Sequence, residues 1–89
     1  MAPDVVNIVP YRGTVIDLTF SDGTQRRVDI AQLARPDGVF ANLYEAGFVA
    51  SAKVNPDTGT IEWGSGADLS PEVLYQAGVL LKQGTNHAA

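Results

Sequence analysis

Residues Thr14 to Ala31 read TVIDLTFSDGTQRRVDIA, and this stretch decides the fold. Ile16, Leu18 and Phe20 fall on one side of an alternating run, while Val15, Asp17 and Thr19 fall on the other. That period of two is the signature of a half-buried strand. Asp22-Gly23 follows, a pair that tolerates the positive φ values of a tight turn, and the chain returns through Val28 and Ile30 on one face. A β-hairpin over Val15–Ile30 is therefore the anchor from which the rest is read.

Working outward, VVNIV (Val5–Val9) carries the β-branched residues that suit a pleated surface, and the reading ends this strand at Pro10 and places it at an edge. Beyond Ile30 the periodic pieces are short and interrupted by Pro36, Gly38 and Gly47. They predict one helical turn near Ile30–Ala34 and another near Ala41–Glu45, with Leu33, Phe40 and Leu43 turned inward. FVASAKV then puts Phe48, Ala50, Ala52 and Val54 on one face as a strand, and NPDTG turns the chain into TIEW to make a second hairpin. In SPEVLYQAGVLLKQG, Ser70 fits an N-cap, Pro71 the first helical position and Glu72 the positive end of the helix dipole. Val73, Leu74, Ala77, Leu80 and Leu81 form an apolar stripe, with Gly84 as the stop. The expected fold is α+β: a mainly antiparallel sheet of four or five strands, short helical turns in the middle, and a C-terminal helix packed on one face. Residues 1–84 are expected to form a single small domain and residues 85–89 a flexible tail.

Composition removes several functions. The chain has 89 residues, 45% of them hydrophobic and 18% charged, with no cysteine. Disulfides, zinc-thiolate sites and thiol nucleophiles are excluded, which fits a reducing compartment, and the cytoplasm is the expected location. No apolar run approaches the roughly 18 residues of a membrane span, and Asp4 and Asn7 interrupt any signal-peptide core. A net charge of −4 and a pI near 4.6 argue against direct binding to nucleic acid, which needs clustered Lys and Arg. The carboxylate excess lies in residues 36–89.

The connector TIEWGSGADLSPEVLY (Thr60–Tyr75) has the look of a site. Its GSG run lacks the glycine spacing and the lysine of a phosphate loop, and Asp68 would repel an anion. Glu62 and Asp68 would need a cleft that shifts one pKa before acting as an acid/base pair. His87, the lone histidine, is the third residue from the end. Arg26 and Arg27 point to opposite faces of one strand and cannot form one patch. No catalytic, cofactor-binding or metal residues are assigned, and no enzyme is expected. Trp63, Asp68, Glu72 and Tyr75 are the candidate interaction residues, with Trp63 either a core residue or an interface anchor according to its exposure.

Three segments together carry a family resemblance: FSDGTQRRVDI (Phe20, Asp22, Gly23, Val28, Asp29), VFANLYEAGF (Phe40, Leu43, Phe48) and IEWGSGADLSPEVLY (Ile61, Trp63, Gly66, Ala67, Asp68, Leu69, Pro71, Leu74, Tyr75). In this order they resemble the bacterial domain-of-unknown-function family 2442, over about four fifths of the chain. One departure is WGSG, where the family pattern has Pro and Asn after the Trp. The resemblance implies a small α+β protein without established enzymatic activity. It also implies a partnership with a small neighbouring protein, as in toxin–antitoxin pairs. Some members carry a fused helix-turn-helix; with about fourteen residues after Tyr75, none is expected here. The expected partner is another protein, a toxin or a nucleic-acid-processing complex, with a homodimer as a further expectation. The runner-up reading is an acidic phage-type inhibitor, similar to anti-CRISPR proteins, that occupies a nucleic-acid-binding groove.

Overall fold

A computed structural model describes residues 2–83. The first four-stranded sheet is built on the anchoring hairpin: β2 (Val15–Phe20) and β3 (Gln25–Asp29) pair antiparallel with Ile16 opposite Val28 and Asp17 opposite Arg27. Gly23 takes φ +88° between them, a conformation in which a Cβ is strained, so the turn requires glycine. β1 (Val5–Arg12) lies on the far side of β2, and the order of the sheet is β1-β2-β3-β7, where β7 is Val79–Lys82. Alternation along β2 sends Ile16, Leu18 and Phe20 into the core, as the sequence predicts.

The second sheet has three antiparallel strands, β4 (Lys53–Asn55), β5 (Thr60–Glu62) and β6 (Asp68–Leu69). A backbone hydrogen bond from Val5 N to Gly59 O, 3.0 Å, ties the β4–β5 turn to the start of β1. One apolar cluster is shared by both sheets: Val5, Ile16, Leu18, Phe20 and Val28 from the first, Ile61 from the second, and Ile30, Leu43, Val49, Trp63, Ala67 and Leu74 from the segments that connect the strands. Each residue of this set loses nearly all its contact with water, which is where most of the favourable free energy of so small a chain originates.

Four expectations are corrected. The single sheet of four or five strands is two sheets, of four and three strands. Pro10 does not stop β1; it sits inside this edge strand beside a register shift between Pro10 and Arg12, the kind of position at which a sheet tolerates proline. Phe48–Val54 is not one strand. Val49–Ser51 forms a 3₁₀ turn that buries Val49 and leaves Ala50 exposed, and only Lys53–Asn55 is extended. The largest correction falls on the last element. The helix α1 covers only Pro71–Ala77, and of the predicted stripe only Leu74 is buried. The chain leaves the helix at Gly78, whose N–H caps Leu74 O at 2.9 Å. It then pairs Val79, Leu80 and Lys82 with Arg27, Arg26 and Gln25 of β3. Without β7 the backbone edge of β3 would be unpaired, and a seven-residue helix gains little from being extended. The start of α1 is as predicted: Ser70 Oγ accepts from Val73 N at 3.3 Å, with Pro71 in the first turn. The turns near Ile30 and Ala41 are present as a 3₁₀ turn over Ile30–Gln32 and a turn run after a 3₁₀ turn over Gly38–Phe40. Gly84 and the tail 85–89 lie outside the described residues.

Candidate functional site

The four candidate residues divide between two structural clusters and an open surface. Trp63 is 4% exposed. Its ring stacks on Phe48 at 6.0 Å and meets Phe40 edge-on at 5.3 Å, and its indole N–H donates to Val49 O at 3.3 Å. Its backbone accounts for the GSG run: Trp63 N donates to Ala67 O at 2.9 Å and Gly66 N to Trp63 O at 3.0 Å, so Gly64–Gly66 is the turn joining β5 to β6. Ser65 Oγ fastens that turn to Val39 O at 2.7 Å.

Tyr75 belongs to a second cluster, which links α1 to the β2–β3 turn. Its ring meets Phe20 edge-on at 5.0 Å, and its hydroxyl donates to Asp22 Oδ2 at 2.7 Å. The Arg26 guanidinium lies over the Tyr75 ring, 3.7 Å from its centre. Asp22 also accepts from Thr24 N at 3.0 Å and from Thr24 Oγ1 at 2.7 Å. Desolvation works to raise the pKa of this carboxyl, but the hydrogen bonds from Tyr75 and Thr24 and the nearby Arg26 charge outweigh it, so Asp22 is held below its ordinary value. Arg26 and Arg27 do point to opposite faces. On the outer side Arg27 makes a bidentate pair with Asp17, at 2.8 and 3.0 Å, and lies over Tyr11, 3.6 Å from the ring centre. The hydrogen bond from Arg27 to Asp17 raises the guanidinium pKa.

Asp68 and Glu72 are exposed, and the structure does not bring them together with Trp63 and Tyr75 as one site. Asp68 stands directly opposite Glu62 across β5–β6, and Glu62 stands opposite Lys53 across β4–β5. Glu62 opposite Asp68 disfavours the pairing while Lys53 opposite Glu62 favours it, so the two contributions oppose each other. Beside this row a cleft of about 190 Å³ is lined by Ser51, Lys53, Glu62, Trp63 and Gly64. That is smaller than the roughly 300 Å³ at which small-molecule pockets begin. No three metal-ligating side chains converge among the described residues. No described helix is long and apolar enough to cross a membrane.

Sequence reasoning missed the exposed aromatic on this part of the molecule. Tyr44 is 66% exposed and Val39 49%, both on the segment between the two sheets. Leu43, its immediate neighbour, is fully buried. In a tight turn adjacent side chains diverge, so LY at 43–44 already held the clue that one of the pair faces outward. Residues 30–78 also hold Asp37, Glu45, Asp57, Glu62, Asp68 and Glu72 against only Arg35 and Lys53, whereas residues 1–29 and 79–83 balance Arg12, Arg26, Arg27 and Lys82 against Asp4, Asp17, Asp22 and Asp29. The segment between the first hairpin and β7 is thus acidic and carries an outward tyrosine.

The family model described as Protein of unknown function (DUF2442) matches residues 5–79. No curated protein and no solved structure matches the chain.

Proposed function

We propose a function from the surface, because the chain belongs to the family Protein of unknown function (DUF2442), whose description carries no activity. The protein is a non-enzymatic interaction module of bacterial or phage origin, an antitoxin-like or regulatory partner of a small neighbouring protein, acting in the cytoplasm. The observation that carries this reading is the acidic segment with Tyr44 exposed upon it. An exposed aromatic side chain on an acidic segment suits a basic protein surface: the charges steer the encounter, and the ring supplies buried area on contact. Asp22 and Arg27, by contrast, already serve the fold, the one through Tyr75 and Thr24 and the other through Asp17.

The runner-up reading uses the same segment differently. Glu62 and Asp68 side by side on β5 and β6, with Lys53 on the other side of Glu62, leave a net negative row, which favours an inhibitor that occupies a groove made for nucleic acid. Both readings are tested by capture from the native host with the tagged chain and with Glu62→Lys/Asp68→Lys. A small basic protein, retained at low salt and lost from the double variant, supports the interaction module. A nuclease complex released by added duplex DNA supports the inhibitor. Capture that is equal for both chains at every salt concentration contradicts the acidic-surface basis of both.

A further inference from the structure

The four-stranded sheet ends on two unlike edges. β1 carries Pro10, which has no amide hydrogen to offer, and two register shifts, between Val5 and Asn7 and between Pro10 and Arg12. The proline removes a donor that a further strand would need, whereas β7, although it too has a register shift, at Leu81, keeps all its donors. β7 carries Val79, Leu80, Leu81 and Lys82, every one exposed, and among the described residues no strand pairs with its outer side. Open backbone donors and acceptors beside apolar side chains are a template for another strand.

We propose that the occupant of this edge is β7 of a second copy, paired antiparallel about a two-fold axis normal to the sheet. Charge favours a copy. Centred on Leu80, the pairing sets Leu80 against Leu80 and Val79 against Leu81 of the other copy, so apolar residues meet apolar residues. Lys82, the one charge of the strand, falls opposite Gly78 and stands roughly 13 Å from the other Lys82, beyond the screening length in physiological salt. The neighbouring outer-face charges of β2 and β3, Asp17 and Arg27, already neutralise each other. Setting the acidic segment of another molecule against Val79–Leu81 would instead face carboxylates with leucines. Area limits the strength. A register shift opposite Leu81 confines regular pairing to a few residues. So short a strand buries far less than the roughly 800 Å² per partner of a standard interface, and the dimer forms only in concentrated solution.

The test is sedimentation equilibrium of the full chain from about 10 µM to about 1 mM, a range that captures a weak dissociation constant. The same runs are made on Val79→Lys/Leu81→Lys and on Val9→Lys at the opposite edge, with thermal melts to confirm that each variant folds. The proposal expects a dimer fraction that rises with concentration, a dissociation constant at least tenfold weaker in the β7 variant, and no change in Val9→Lys. A monomer throughout overturns it, as does a dimer that survives the β7 substitutions or is lost with Val9→Lys. Slow hydrogen exchange of the outward β7 amides in the dilute monomer also overturns it, because the edge would then be covered from within one chain. These outcomes are independent of the partner capture above, which reads the acidic segment and not the sheet edge.

Discussion

Replacing Gly78 with alanine separates a chain that turns from helix into strand at this point from one that continues as helix, because the two predict opposite signs. Gly78 has φ −73° and ψ 141°, values that alanine adopts freely, so the backbone itself does not resist the change. Space does. A Cβ at Gly78 would lie 2.8 Å from Arg26 Cβ, 3.1 Å from Leu74 O and 3.2 Å from Val28 Cγ2. The closest of these atoms belong to the base of a side chain and to backbone, which cannot swing away as the end of a flexible chain does. Overpacking of this kind costs about 1–3 kcal/mol. The reduced freedom of the unfolded chain returns about 0.4–1 kcal/mol. The net expectation is a loss of about 1–2 kcal/mol. In a chain of this size that corresponds to a fall in Tm of roughly 5–15 °C. Urea titration and a thermal melt followed by circular dichroism measure it. If Pro71 to Lys82 were one continuous helix, alanine would instead stabilise it by about 1 kcal/mol through helix propensity. A Tm that is unchanged or raised refutes the packing of Gly78 against β3.

Ser70→Ala removes the acceptor for Val73 N and is expected to lower stability by about 1 kcal/mol in the same melts, leaving partner capture unaltered. Leu74→Asp places a carboxylate at a fully buried position and is expected to abolish the cooperative transition. Tyr75→Phe deletes the hydrogen bond to Asp22 and is expected to lose about 1 kcal/mol at neutral pH. Because the folded-state pKa of Asp22 lies below its unfolded value of 3.8, its contribution is present above that value and disappears as the pH falls through the lowered folded value. The stability difference between parent and Tyr75→Phe should therefore narrow below about pH 4, and a difference constant down to pH 2 contradicts the assignment. Trp63, the lone tryptophan, should emit at short wavelength and resist acrylamide quenching in the native state. A red emission maximum would contradict its burial.

The hairpin of β2 and β3 was legible because each of its signals is local. Strict alternation fixes the faces, and Asp22-Gly23 fixes the turn. The N-terminus of α1 was legible for the same reason, since Ser70, Pro71 and Glu72 act within one turn. The end of α1 was not. Val73, Leu74, Ala77, Leu80 and Leu81 satisfy a helical stripe on paper, but a stripe records only which residues are apolar. The unpaired edge of β3, a partner some fifty residues away in sequence, decides that Val79–Lys82 is strand. Likewise Phe48, Ala50, Ala52 and Val54 alternate correctly, yet Val49 is the residue drawn into the core, because the aromatic cluster of Phe40, Phe48 and Trp63 fixes a 3₁₀ turn there. At the candidate site, composition reported the acidic second half correctly. It could not tell that Trp63 turns inward while Tyr44 turns outward, since exposure is settled by neighbours from distant parts of the chain.

The central claim is that Trp63 and Tyr75 hold the structure together while the acidic segment that carries Tyr44 meets the partner. The most direct test compares Trp63→Phe with Tyr44→Ala in one capture experiment at low salt, with the melting temperature of each variant alongside. Trp63→Phe loses the indole hydrogen bond to Val49 and some core volume, so it should lose about 1–2 kcal/mol of stability and melt lower while retaining the partner. Tyr44→Ala should melt as the parent does and bind at least tenfold more weakly, about 1.4 kcal/mol or more. Undiminished binding by Tyr44→Ala, together with loss of the partner from a folded Trp63→Phe, would contradict the account.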